Sequence, residues 1–172
     1  MFQKGDYIIY GSSGVCLVEE VGPMDMAGTV RGKLYYTLRP MYSGSSTIFT
    51  PTDNDKIVMR YILTRDEAER CMEGAELAEP LEIRDERKRE EIYREVLRGC
   101  DCDACVRLLK TLYGRQNVRL ENGKKVAALD ERYMKMAEES LFGELAVSLG
   151  EEREEVREKV YMKISEKVLT TN

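Results

Sequence analysis

The chain has 172 residues, is 42% hydrophobic and 34% charged, and carries a net charge of −5. This suits one domain or two small ones with a charge-laced surface. Histidine is absent, which excludes histidine acid–base chemistry, histidine metal sites and every histidine-containing triad.

In chain order, the first elements read as strands. DYIIY (6–10) and VCLVEEV (15–21) flank a tight GSSG turn at 11–14. KLYYTLRP (33–40) is rich in aromatic and β-favouring residues, STIFTP (46–51) is β-branched and ends on Pro51, and KIVMRYI (56–62) is a fifth candidate. Gly22-Pro23, Ser43-Gly44 and Asp53-Asn54 supply turns between them. Five short strands with no helical pattern between them predict a small antiparallel barrel of SH3 or Tudor type, with the first strand needed at once to close the edges.

The period changes at Thr64. TRDE places Thr64 as N-cap and Glu67 three residues on, a capping box, with the helix stopping at Gly74. Residues 85–98 form the next predicted helix, with Ile92, Tyr93, Val96 and Leu97 inward and Gly99 at its end. Asp101 or Asp103 caps a third, which carries Val106, Leu109, Leu112 and Tyr113 and ends at Gly114. Residues 130–148 place Met134, Ala137, Leu141 and Leu145 on one face before Gly150. Residues 152–168 place Val156, Val160, Ile164 and Val168 four apart. The fold class expected is α+β: a five-stranded barrel over 1–62, then an all-helical domain over 63–172.

Two segments leave alternatives open. VRLENGKKV (118–126) alternates around Asn122-Gly123 and reads either as a type I′ hairpin or as a polar loop between helices. CDCDAC (100–105) contains a CxxC at Cys102 and Cys105, suited to metal ligation or redox exchange. A zinc site needs a fourth ligand from Cys71 or Asp101, and no strand precedes the motif as in redox folds. Five cysteines, an odd number without secretory context, are therefore expected as reduced thiols, with Cys100, Cys102 and Cys105 at a helix start.

No apolar run approaches the roughly 18 residues of a membrane span. The N-terminus has one lysine and no apolar core, so a cytoplasmic protein without a signal peptide is expected. Charge is uneven along the chain: net zero over 1–63, −5 over 64–83, +4 over 84–135 and −4 over 136–172. A mildly acidic protein still binds nucleic acid if its basic groups share a face. No nucleophile–base set or phosphate loop is visible, so a non-enzymatic protein without cofactor, metal or small-molecule substrate is expected.

The order FQKGDYIIYGSSGVCLVEEV, KLYYTLRP, TIFTP, DERKREEIYREVLRG and GKKVAALDERYMKMAEESLFGELAVSLG resembles the CarD/CdnL family of bacterial transcription regulators over roughly residues 2 to 150. Its first module also resembles the polymerase-interacting domain of transcription-repair coupling factors. The pairing with GKK and GELA sets the chain apart from coupling factors, which continue into a helicase. The resemblance implies a Tudor-like domain bound to the RNA polymerase β subunit and a helical domain touching promoter DNA at the upstream edge of the melted bubble, which would modulate open-complex stability.

It further implies a polymerase-binding strand edge drawn from Arg31, Lys33, Tyr36, Arg39, Thr47, Phe49 and Pro51, with Phe49 standing where some relatives carry Arg. Phosphate contacts are expected from Arg84, Arg87, Lys88 and Arg89 in the basic helix and from Arg115, Arg119, Lys124 and Lys125 near the GKK loop. Several relatives carry a tryptophan wedge where this chain has LEIRDE (81–86). Here Leu81 or Ile83 is either a smaller wedge or a core residue. The alternatives are a polymerase-binding module without DNA contact and, from another class, a cysteine-based redox or zinc sensor.

Overall fold

The computed structural model describes residues 1–44 and 46–169, with side chains described as far as Ser165. The chain divides into two compact units, Met1–Ile62 and Leu63–Asn172.

The first unit is a five-stranded antiparallel sheet of order β4-β3-β2-β1-β5. Its strands are β1 (Tyr7–Tyr10), β2 (Val15–Pro23), β3 (Leu34–Pro40), β4 (Ile48–Pro51) and β5 (Met59–Tyr61). The expected barrel closure is not present among the described residues. β4 and β5 are the two edges and form no ladder with each other. They are also the shortest strands apart from β1, at four and three residues, and short edge strands limit how much ladder is exposed. β1 lies inside the sheet, pairing with both β2 and β5, so it is needed early for the core rather than for closure.

Alternation sorts the two faces. Ile8, Tyr10, Cys16, Val18, Tyr36 and Leu38 form one core, joined by Phe2, Val21, Ile48 and Met59. A register shift between Val18 and Glu20 bulges β2 against β3. The β1–β2 turn depends on Gly11, which has φ +46. A Cβ there would lie 2.7 Å from Ile57 Cγ2, so no larger residue fits without movement.

The second unit is helical: α1 (Arg65–Gly74), α2 (Arg89–Gly99), α3 (Cys102–Glu121), α4 (Ala128–Leu149) and α5 (Arg153–Leu169). The capping box of Thr64 and Glu67 is present in full. Asp101 caps α3, accepting from the Ala104 N–H. α4 is the central helix and packs against each of the other four. All six residues of its LFGELA segment are buried, which is possible only for a helix enclosed on most sides. Its expected stripe holds, with Ala137, Leu141 and Leu145 buried and Met134 packed against the core. Val156, Val160 and Ile164 of α5 join it, while the Val168 side chain lies outside the described residues.

Two boundaries differ from expectation. Residues 86–88 are a 3-10 turn before α2 rather than its first turn. α2 ends at Gly99 as expected, with the left-handed position one residue on at Cys100, at φ 52. α3 continues through Gly114 to Glu121, because Leu108, Leu109 and Leu112 fix its inner face and one glycine in a buried helix costs only about 1 kcal/mol. Residues 118–121 are therefore helical, and 122–127 connect α3 to α4 instead of forming a hairpin. Gly123, at φ +70, ends α3 in a Schellman motif, with Gly123 N–H donating to Leu120 O and Lys124 N–H to Arg119 O.

Lys110, though charged, is buried, and its ammonium donates to Ala75 O and Glu76 O, capping the end of α1. Leu81 N–H donates to Thr111 Oγ1 at 2.8 Å and Arg107 Nε to Glu79 O at 2.9 Å. These bonds lay residues 79–81 along α3. Leu81 and Ile83 both pack, half-buried, against the helical core.

Candidate functional site

In the β unit the outer strand is β4, registered on β3 by Thr37 opposite Phe49 and Tyr36 opposite Thr50. Ile48 and Thr50 turn inward, and Thr50 Oγ1 accepts from Asn54 Nδ2 at 2.9 Å. The Phe49 ring points out and is 44% exposed, large for an aromatic residue on a sheet edge. At the two ends of the neighbouring β3, Lys33 pairs with Asp53 at 3.0 Å and Arg39 with Glu19 at 3.1 Å, all four side chains at least partly solvated. Arg31 and Thr47 are exposed, and Pro51 is half-buried where β4 ends.

Tyr36 differs from this group. It is 1% exposed, its ring lies 5.6 Å from that of Phe2, and its hydroxyl accepts the Phe2 N–H at 3.0 Å. Alternation along β3 puts Tyr36 on the core face, so it positions the N-terminus and is out of reach of a partner. Sequence reading also passed over a second exposed apolar group near the opposite edge: Tyr7, Ile57, Val58 and Tyr61.

In the helical unit the basic residues fall into two groups. Arg89 and Arg115 converge on Asp130, a buried carboxylate in the first turn of α4. Arg115 Nε lies 3.0 Å from Asp130 Oδ2 and Arg89 Nε 3.4 Å from Oδ1, which also accepts the Tyr93 hydroxyl at 3.0 Å. The other two Arg115 nitrogens fork onto Glu86 at 2.9 and 2.8 Å, and that fork holds the Glu86 carboxyl below its usual range. Burial, with Asp130 next, pushes the Tyr93 phenol up. Arg119 is also committed locally, its Nε donating to Lys125 O at 2.7 Å.

These bonds bring residue 86, the end of α3 and the start of α4 together. The remaining cations stand at that corner in solvent: Arg84, Arg87, Lys88, Lys124 and Lys125 are exposed. Arg84 and Arg87 make only surface pairs, with Glu82 at 2.9 Å and Asp85 at 3.3 Å. Of the eight cations read as phosphate contacts, five are thus presented to solvent, while Arg89, Arg115 and Arg119 hold the corner in shape. Asp130 was missed because its partners lie 15 and 41 residues away and no local pattern marks it.

The cysteines also depart from expectation. Cys71 and Cys102 form a disulfide, so not all five are reduced. Cys71, on the inner face of α1, meets the first residue of α3 across a separation of 31 residues. Cys16, Cys100 and Cys105 stand outside the disulfide and are buried. Among the described residues, no group of three or more cysteine, aspartate or glutamate side chains is placed to hold a metal. No helix among them is long and apolar enough to cross a membrane.

No curated protein matches the chain. A family model described as the CarD-like/TRCF RID domain matches residues 2–62, the extent of the β unit but for Met1. Residues 2–62 are thus similar in sequence to CarD-like/TRCF RID domains, and the match ends where the β unit ends.

Proposed function

We propose that the chain is a non-enzymatic, cytoplasmic transcription regulator that docks on the RNA polymerase β subunit through residues 2–62 and contacts upstream promoter DNA with its helical unit. The observation that carries this reading is the match of the whole β unit to the CarD-like/TRCF RID domain, a polymerase-interacting domain. The β4 edge supports it. A terminal strand offers main-chain donors and acceptors to a partner sheet, and the exposed Phe49 on β4, with Lys33 and Arg39 at the ends of the adjoining β3, supplies side-chain specificity.

The DNA contact is assigned to Arg84, Arg87, Lys88, Lys124 and Lys125, which reach phosphates without reading sequence. Each neutralised phosphate steepens the salt dependence of log K by about 0.9, so a few contacts on a chain of net charge −5 bind free DNA weakly. Docking on polymerase raises the local DNA concentration toward about millimolar, where a weak basic corner still acts. Binding the open complex better than the closed one then shifts melting forward.

A second reading, docking on polymerase without DNA contact, draws on Arg89 and Arg115 being turned inward onto Asp130. Open-complex half-life on a supercoiled promoter, measured with polymerase alone and with the chain added, separates the two. A changed half-life supports the DNA role, and an unchanged one with polymerase captured leaves docking alone.

A further inference from the structure

The Cys71–Cys102 disulfide stands between two different spaces. Cys71, near the end of α1, forms part of the wall of a surface cleft of about 270 Å³, shared with Leu77, Asp103 and Arg107. Cys102 lines a separate, smaller hollow of about 10 Å³, together with Cys100, Cys105 and Glu144. That hollow holds about one water, whereas the cleft has room for a small thiol beside Cys71. The two residues are themselves almost equally buried, at 5% and 7% exposed, so the larger space is what distinguishes the Cys71 side.

The two cysteines also differ as leaving groups. Cys102 is the first residue of the 20-residue α3, where the helix dipole favours a thiolate, partly offset by the Asp101 carboxylate that caps the same end. Cys71 lies near the C-terminal end of α1, where the dipole disfavours one. A sulfur that carries negative charge more easily leaves faster in exchange.

We propose that this disulfide is a site of thiol–disulfide exchange with low-molecular-weight thiols, attacked at Cys71 from the cleft with Cys102 as the leaving sulfur. The thiolate of the small thiol forms a new S–S bond to Cys71 Sγ. The Cys71–Cys102 bond breaks, its electron pair departs on Cys102 Sγ, and that thiolate takes a proton from solvent. A second small thiolate attacks the small-thiol sulfur of the mixed disulfide, releasing Cys71 as thiolate and a symmetric small-molecule disulfide. Cys105 does not compete from inside: burial pushes its thiol up to about 12, and its S–H is directed at Ala137 O. The tie between α1 and α3 is then set by the thiol poise around the protein. This inference does not depend on the polymerase reading.

The full-length chain treated with reduced glutathione, quenched in acid, alkylated and mapped as non-reduced peptides tests it. The untreated protein should yield a Cys71–Cys102 cross-linked peptide. Early in the reaction, glutathione should sit on Cys71 with Cys102 alkylated. Glutathione found on Cys102 instead, a disulfide that persists without adducts, or no cross-linked peptide at the outset would overturn the proposal. In a second arm, Cys102→Ser and Cys71→Ser are each incubated with oxidised glutathione. Cys71 in the first variant should be modified faster than Cys102 in the second, because the roomier cleft beside Cys71 outweighs the more favoured thiolate at Cys102. Equal rates would also overturn it.

Discussion

Arg115 and Asp130 are joined at 3.0 Å, and the same guanidinium forks onto Glu86, so one side chain ties the 3-10 turn before α2 to the start of α4. Asp130 is 3% exposed, and removing one partner of a buried, hydrogen-bonded charge cluster costs about 3–5 kcal/mol. Asp130→Ala should lower unfolding free energy in urea by about 3 kcal/mol. Arg115→Ala should lose less, because that side chain is 28% exposed and screened. A loss below about 1 kcal/mol for Asp130→Ala would show that the clasp does not hold the corner together.

Tyr36 offers a contrast within the β unit. Tyr36→Phe removes only the acceptor for the Phe2 N–H and should cost about 1 kcal/mol, read as a lower thermal midpoint. Polymerase capture by this variant should be unchanged, since the residue faces the core. Lost capture with the fold intact would return Tyr36 to the interface.

The sequence carried the strands, the Thr64 capping box and the α4 and α5 stripes, because each is written in neighbouring residues: a period of two, a period near 3.6, or a cap three residues from its partner. It misplaced the start of α2 and the end of α3. Gly99 does end α2, but Gly114, with the same composition of a stop, does not end α3, because burial of Leu109 and Leu112 carries that helix through it. It also put Tyr36, Arg89, Arg115 and Arg119 on working surfaces. The family resemblance suggested contact, while their partners within the chain are Phe2, Asp130 and a loop carbonyl. Of these partners only the carbonyl is near in sequence, and nothing local announces the others. The Cys71–Cys102 pairing was hidden for the same reason: it spans 31 residues and depends on how α1 packs on α3.

Thiol reactivity should follow burial. Burial pushes Cys16 up to about 11 and Cys105 up to about 12. At pH 8 the thiolate fraction at either is about one in a thousand or less, so both should resist iodoacetamide in the native chain and react promptly in denaturant. The sign for stability follows from proton binding. The folded state holds these protons more tightly than the unfolded chain, whose thiols titrate near 9.0. Their stabilising contribution is complete below that pH and declines as pH rises through about 11 and 12. Native-state alkylation of Cys105 at pH 8 as fast as in denaturant would contradict this.

The exposed corner should act through charge. Substituting Arg87, Lys88 and Lys124 together by Glu should abolish any effect of the chain on open-complex half-life while leaving polymerase capture intact. These side chains are exposed and make no buried contact, so the melting temperature should hardly move. An unchanged half-life for the triple variant would remove the DNA role and leave a pure docking module.

The central claim is that the β4 edge docks on RNA polymerase, and the most direct test is the Kd of the full-length chain for the polymerase β subunit with that edge altered. Phe49→Asp, combined with Lys33→Glu and Arg39→Glu, changes only solvated side chains and their surface ion pairs, so the fold should persist within about 1 kcal/mol. The account predicts that the unaltered chain binds the β subunit, that the triple variant binds at least about tenfold more weakly, a loss of about 1.4 kcal/mol, and that Tyr36→Phe binds as the unaltered chain does. No β-subunit binding by the folded, unaltered chain, or equal binding by the triple variant, would contradict it.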